Sequence, residues 1–257
     1  MKKKETQMLK IGLLGYGKAG SAVASILAAD PRYALAWVAR RHADAAGETV
    51  TVNGIDVPVL GMADGGLDQW LERHPVDAVV DFSNADAVSV YGNAICQRGI
   101  ALVSAISAYS TEQLAYVRSL GQHIRVMASP NITLGINFLM LAARLLRGIA
   151  PFADVEILEQ HFREKPEVSG TARKLAETLE LNESNITSLR LGGIVGHHEV
   201  IFGFPHQTVR LIHNAIRREA FGTGAAFALE ELLRHPPGFY SFDDLLLARV
   251  RQNLLAA

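Results

Sequence analysis

Short apolar runs alternate with amphipathic stretches through the first half of the chain. Residues 9–14 read as a buried strand, 18–29 as a helix with small residues on one face, and 33–39 as a second strand. A short helix over 67–74 leads into another buried strand, 77–81 (DAVVD). Ser83 with Asp86 three positions on reads as an S-x-x-D helix start, and the helix runs to about residue 98. Residues 100–104 and 124–128 are strands, with a helix over 111–120 between them. This β-α-β-α order predicts a parallel, doubly wound sheet.

The pattern changes near Ser129-Pro130. A long helix, 134–149, is followed by a strand over 155–162 and a helix over 171–179. Three strand-like runs follow, 187–193, 198–202 and 208–214. Short turns with Gly or Pro join them, so antiparallel pairing is expected. A helix over 220–234 stops at HPPG, and a last one covers 242–250. The expected class is α/β: a Rossmann-type doubly wound sheet plus an α+β domain with a mixed or antiparallel sheet. The first domain is 1–129, completed by 236–257, and the second is 130–235.

Composition narrows the function. The chain has 257 residues, 49% hydrophobic and 20% charged, enough for a sizeable core. A formal net charge of −1 gives no pull toward nucleic acid or an acidic membrane surface. The single cysteine, Cys96, allows no internal disulfide and suits a reducing compartment. The start MKKKETQMLK is basic but has no apolar leader region, so a cytoplasmic location is expected. The apolar stretch 139–149 is broken by Arg144 and Arg147 and is too short to span a bilayer.

Residues 15–20, GYGKAG, form a G-x-G-x-x-G between a strand and a helix, the context in which this motif holds a dinucleotide. Gly15 permits the tight turn, Gly17 lets a pyrophosphate approach the backbone, and Gly20 lets helix and strand pack closely. Tyr16, Lys18 and Ala19 belong to the same loop. An NAD site usually has an acid at the end of the second strand for the ribose 2′-hydroxyl. Here Arg40 and Arg41 stand at that place and the first acid is Asp44. Two guanidiniums suit a 2′-phosphate, so NADPH is preferred over NADH, with NADH possible.

The densest charge lies in residues 159–172, EQHFREKPEVSGTA. Glu159, His161, Lys165 and Ser169-Gly170-Thr171-Ala172 there resemble the E-x-H-H-x-x-K…S-G-T-A pattern of the dihydrodipicolinate reductase family. VDAVVDFS, SPNITLGIN, LRLGGIVGHHEVIF and GFYSFDDLL are similar to further segments of that family, in the same order along the chain. The resemblance implies NAD(P)H-dependent reduction of 4-hydroxy-tetrahydrodipicolinate in lysine and diaminopimelate biosynthesis. It implies His161 as proton donor and Lys165 as catalytic and substrate-anchoring lysine. Ser169, Gly170 and Thr171 would bind a substrate carboxylate. Phe82, Ser83, Ala105, Ser107, Ser129 and Asn131 would join the cofactor site. A homotetramer, or a dimer, is the implied assembly.

The chain also departs from the pattern. Phe162 stands where the family has its second histidine, PEV is one residue short before Ser169, and AISAY (105–109) replaces G-T-T-G-F. Three alternatives stay open: a paralogue reducing another cyclic imine acid, a non-catalytic NADP-binding module, and an aspartate- or homoserine-type dehydrogenase, which would share the first domain but not the His161–Lys165…Ser169-Gly170-Thr171 segment. No metal site is expected. His197-His198 lacks further ligands, and His206 and His213 read as structural.

Overall fold

Strand β1 (Leu9–Leu14) leads through the glycine loop into helix α1 (Lys18–Ala29) and strand β2 (Tyr33–Arg40). Strands β3 (Thr49–Val52) and β4 (Ile55–Gly61) follow, then helix α2 (Leu67–Arg73), strand β5 (Ala78–Asp81) and helix α3 (Ala87–Gln97). Strand β6 (Ala101–Ser104), helix α4 (Thr111–Leu120) and strand β7 (Arg125–Ala128) complete this part. Next come helix α5 (Leu134–Ile149), strand β8 (Asp154–His161), helix α6 (Gly170–Thr178), and strands β9 (Ile186–Arg190), β10 (His197–Phe204) and β11 (Gln207–Asn214). Helix α7 (Glu219–Leu232), strand β12 (Gly238–Tyr240) and helix α8 (Phe242–Ala256) end the chain. This computed structural model describes residues 8–45 and 47–256; the basic start at 1–7, read above for a leader, lies outside them.

Thr133–Ala220 form one compact unit, and the described residues before and after it form the other. The larger unit holds an eight-stranded sheet in the order β12-β7-β6-β5-β1-β2-β4-β3. Every pairing in it is parallel except β3 with β4. From β1 the chain first runs outward through β2 and then returns to β5 on the other side. The carboxyl ends of β1 and β5 therefore flank a topological switch point, where doubly wound sheets bind ligands. The strands are continuous apolar runs because both faces are covered: Ile11, Leu13, Val38, Val80, Leu102 and Val126 are fully buried. Helix α7 packs on this unit, with the Tyr33 hydroxyl donating to the Ala226 carbonyl at 2.9 Å.

The β3–β4 hairpin was not expected. Its two-residue turn, Asn53-Gly54, has both residues at positive φ (50° and 82°), the geometry that asparagine and glycine tolerate best. The S-x-x-D start at Ser83 is also corrected. The Ser83 hydroxyl and N–H both donate to Asp81, at 2.5 and 2.8 Å, so Ser83 closes the strand end. The helix begins at Ala87, after an N-cap at Asp86.

The smaller unit is a four-stranded sheet in the order β11-β10-β8-β9. The three late runs were expected to pair antiparallel in succession. Strands β10 and β11 do so, and β10 also pairs antiparallel with β8. Strand β9 instead crosses to the far edge and pairs parallel with β8. Alternation divides the faces. Val155, Ile157, Val200 and Phe202 form a core with Ile136, Leu139, Ala143, Leu175 and Leu179 of α5, α6 and the residue after it. By the same period of two, Glu159, His161, Ser188, Arg190 and His198 fall on that helix-covered face, at one end of the sheet.

Candidate active site

In the larger unit the glycine loop has the steric form the sequence suggested. Gly15 has φ 85°, and a Cβ there would lie 2.5 Å from the Phe82 carbonyl carbon. A Cβ on Gly20 would lie 1.7 Å from the Gly15 carbonyl oxygen, so helix and loop meet only through glycine. A Cβ on Gly17 would meet nothing within 4 Å. Gly17 is also the N-cap of α1 and offers no side chain to the first turn. Its N–H groups are thus uncapped by a side chain beside open space, which suits a diphosphate.

A cavity of about 450 Å³ lies beside this loop, lined by Gly15, Arg40, Arg41, Met62, Ser83 and Asp86 among others. Arg40 is held there by Glu48 at 2.8 Å and Asp44 at 3.3 Å, with its guanidinium 5.6 Å from the Tyr16 ring centre. Arg41 is exposed. A second cavity, of about 470 Å³, is lined by Ala19, Phe82, Ser83, Ala105, Ser107 and Phe221 among others. The two cavities share Ser83 and so bring together most of the residues read as cofactor-binding. Ser129 and Asn131 line neither; the Ser129 hydroxyl donates to the Asn131 carbonyl at 2.7 Å and closes the turn after β7. Gly17, Lys18 and Gly20 shape the loop and the helix start.

In the smaller unit His161 ends strand β8 and is buried. Its Nδ1 lies 2.5 Å from Oε2 of Glu159, a carboxylate with no exposure at all. Arg190, on the adjacent parallel strand β9, donates to both oxygens of Glu159, at 3.0 and 2.8 Å. The Ser188 hydroxyl adds a bond of 2.7 Å and the Ser169 N–H one of 3.3 Å. Burial pushes the Glu159 carboxyl up, but the bonds from Arg190, Ser188, His161 and Ser169 outweigh it and bring the group down to about 2. Glu159 is therefore ionised at neutral pH.

Ser169 is the N-cap of α6, yet its side chain does not cap the helix. The hydroxyl pairs instead with Nε2 of His198 at 2.8 Å. His198 stands edge-on to His161, with ring centres 5.3 Å apart. Burial, with lesser repulsion from the neighbouring histidines, holds His198 down at about 3, so it is neutral. Lys165 is half-buried in the connection from β8 to α6, and Arg190 pins that connection by donating to the carbonyls of Lys165 and Glu167 at 3.0 and 2.7 Å. Phe162 is 41% exposed.

His161, Ser169 and the α6 start thus fall together around Glu159. Arg190, Ser188 and His198 complete this network, although the sequence reading gave none of them a role. Among the described residues no group of three or more His, Cys, Asp or Glu side chains could hold a metal ion.

A doubly wound sheet with a glycine loop at its switch point, joined to a unit carrying a buried histidine–carboxylate pair, defines a nucleotide-dependent oxidoreductase of two units. The family model described as "Dihydrodipicolinate reductase, N-terminus" matches residues 9–132, and that described as "Dihydrodipicolinate reductase, C-terminus" matches 132–246. The chain belongs to the dihydrodipicolinate reductase family. A 4-hydroxy-tetrahydrodipicolinate reductase of Caldanaerobacter subterraneus subsp. tengcongensis is 30% identical, covering 90% of this chain and 94% of its own. One from Myxococcus xanthus is 29% identical over 78% and 82%. Among solved structures, a dipicolinate-bound dihydrodipicolinate reductase from Paenisporosarcina sp. TG-14 superposes with a TM-score of 0.76 at 22% identity, covering 91% of this chain and 98% of that one.

Proposed function

We propose that this chain reduces 4-hydroxy-tetrahydrodipicolinate to tetrahydrodipicolinate in lysine and diaminopimelate biosynthesis, with NADPH as the preferred donor. The observation that carries the reading is the β8–α6 segment. A buried His161 is held by an ionised Glu159, and Lys165 and a helix start without a side-chain cap follow it. Loss of the 4-hydroxyl as water leaves a conjugated imine, to which the nicotinamide, when bound, would supply a hydride. His161 then supplies the proton that the reduced product requires. Lys165 and the start of α6 at Ser169-Gly170-Thr171 bind a carboxylate of the dicarboxylate substrate, where fixed groups act without reorganisation. The larger unit is assigned to the nucleotide and the smaller to substrate and assembly. No helix among the described residues is long and apolar enough to cross a membrane, which fits the cytoplasmic location proposed here. The sheet face away from α5 and α6 exposes Leu189 and Ile212 and supports assembly there into a homotetramer. The test is direct: NADPH oxidation followed with 4-hydroxy-tetrahydrodipicolinate and, beside it, with other cyclic imine acids. Turnover only on another imine acid would make the chain a paralogue; no turnover on any would make it a binding module.

The choice of NADPH rests on Arg40 and Arg41 at the cavity beside the glycine loop. Replacing both with alanine should weaken NADPH binding by on the order of 1.5–3 kcal/mol, the loss of charge-assisted bonds to a phosphate. NADH binding should change little. Because Glu48 already holds Arg40, Arg41→Ala alone should account for more of the loss than Arg40→Ala. Fluorescence titration of both cofactors decides it, and a wild type that binds NADH more tightly would refute the preference.

Phe162 gives a second expectation. A phenyl ring offers no hydrogen bond to a carboxylate, so pyridine-2,6-dicarboxylate should bind the wild type weakly. Phe162→His should tighten it roughly tenfold, the scale of one added charge-assisted bond. Calorimetry on the two proteins is the check; equally tight binding to both would mean that other side chains already make the contact.

A further inference from the structure

The carboxylate behind His161 decides which nitrogen of the ring does chemistry. Glu159 is ionised and accepts bonds from Arg190, Ser188 and the Ser169 N–H. An ionised carboxylate has no proton to give, so in the 2.5 Å contact Nδ1 of His161 must be the donor. The neutral ring then carries its hydrogen on Nδ1, and Nε2 is the nitrogen that gains and loses a proton. The flank of Nε2 is kept clear by a glycine: a Cβ on Gly196 would lie 3.3 Å from it.

We propose that Glu159 is a positioning residue of the reduction: it pins His161 through Nδ1, so that the proton is delivered from Nε2, and its charge supports the protonated ring. This deepens the reading of His161 as the acid and rests on it. The charged and titratable groups around His161 fit the scheme. On β8 there is Glu159 itself. Arg190 on β9 is committed to that carboxylate and to the carbonyls of Lys165 and Glu167. On β10, His198 presents its ring edge-on at 5.3 Å and is neutral, so it does not compete for the carboxylate. His213 on β11 lies opposite His198 in the register. At the start of α6, Ser169 is engaged with His198. Glu159 is thus the one anion among these groups in contact with the ring.

Two measurements test this. Nitrogen-15 NMR of the wild-type histidines, assigned with His161→Gln, reads the neutral tautomer directly; His161 should carry its hydrogen on Nδ1. Finding it on Nε2 overturns the proposal, and this arm needs no Glu159 variant to fold. Glu159→Gln should keep cofactor affinity while kcat falls roughly 10²- to 10⁴-fold, the scale seen when a catalytic histidine loses its orienting carboxylate. The limb of its kcat profile on which activity is lost as pH rises should move to lower pH, because the protonated ring has lost its counter-charge. A folded Glu159→Gln with unchanged kcat and an unmoved limb, or with only a raised substrate KM, overturns the positioning role. Full activity in His161→Gln would instead overturn the underlying assignment of the acid, so the two failures are told apart.

Discussion

His161→Gln is expected to lower kcat roughly 10²- to 10⁴-fold, the loss that follows if His161 is the general acid proposed above, with NADPH affinity unchanged. The two effects separate because the residues proposed to hold the cofactor belong to the larger unit and His161 to the smaller. Glutamine keeps a polar group near Glu159, so the buried carboxylate retains a partner and the fold should survive. Lys165→Ala should behave differently. In the role proposed for it, Lys165 both anchors the substrate and assists the acid, so kcat should fall and the apparent KM for substrate should rise together. Its backbone bonds to Phe162 and Arg190 do not involve the lost side chain, and the melting temperature should hold. Steady-state kinetics on both variants, with a thermal melt as control, make the measurement. If His161→Gln keeps full activity on the substrate the wild type turns over, the acid is another group.

Much of the two candidate sites, one in each unit, could be read from the chain because the members of each are local. Gly15 to Gly20 form one loop, and His161 to Thr171 one connection, so motif spacing stands in for geometry. The alternating strands and helices of the first half were equally legible, since buried parallel strands are unbroken apolar runs. What escaped was non-local or short. Arg190 and Ser188 reach Glu159 from 31 and 29 residues away. They do so only because β9 skips past β10 to pair parallel with β8, which no hairpin rule suggests. The arginine in LRLGGIVGHHEV was the available signal, but its partner was not. The β3–β4 hairpin carried its own signature in Asn53-Gly54, yet β3 is only four residues long and Pro58 interrupts the second strand. Strand β12, with three residues, is shorter than any pattern can register. The hold of Glu48 on Arg40 was hidden for another reason: a charged side chain eight positions away reads as surface until the turn is seen.

Acid should destabilise the folded protein well before ordinary carboxylates titrate. His198 is 5% exposed, bonded through Nε2 to Ser169, and its Nδ1 has no partner among the described residues. Burial holds it at about 3 against an ordinary 6.5. The sign follows from where protons bind first. As pH falls below the ordinary value, the unfolded chain protonates this histidine and the folded one does not, so unfolding is favoured. The stability contributed by neutral His198 is complete above about 6.5 and is lost as pH falls toward 3. Each bound proton changes stability by at most ~1.4 kcal/mol per pH unit, so between pH 7.5 and 5 this group alone removes about 2 kcal/mol. His213, lowered by burial and then by His197, acts in the same direction. Glu159 opens a second window, because its carboxyl sits at about 2 against an ordinary 4.5. Its contribution is complete above the ordinary value and is lost as pH falls to the folded one, a further loss of roughly 3 kcal/mol. Against a typical total of about 5–15 kcal/mol, these losses are large. Urea unfolding at steps from pH 7.5 down to 4 would show the first loss as a falling midpoint, and steps on toward pH 2 the second. His198→Gln preserves a partner for the Ser169 hydroxyl but cannot titrate, so its midpoint should fall less steeply through the upper window. If wild type and variant lose stability in parallel from pH 7 to 5, His198 is not the group that protonates on unfolding.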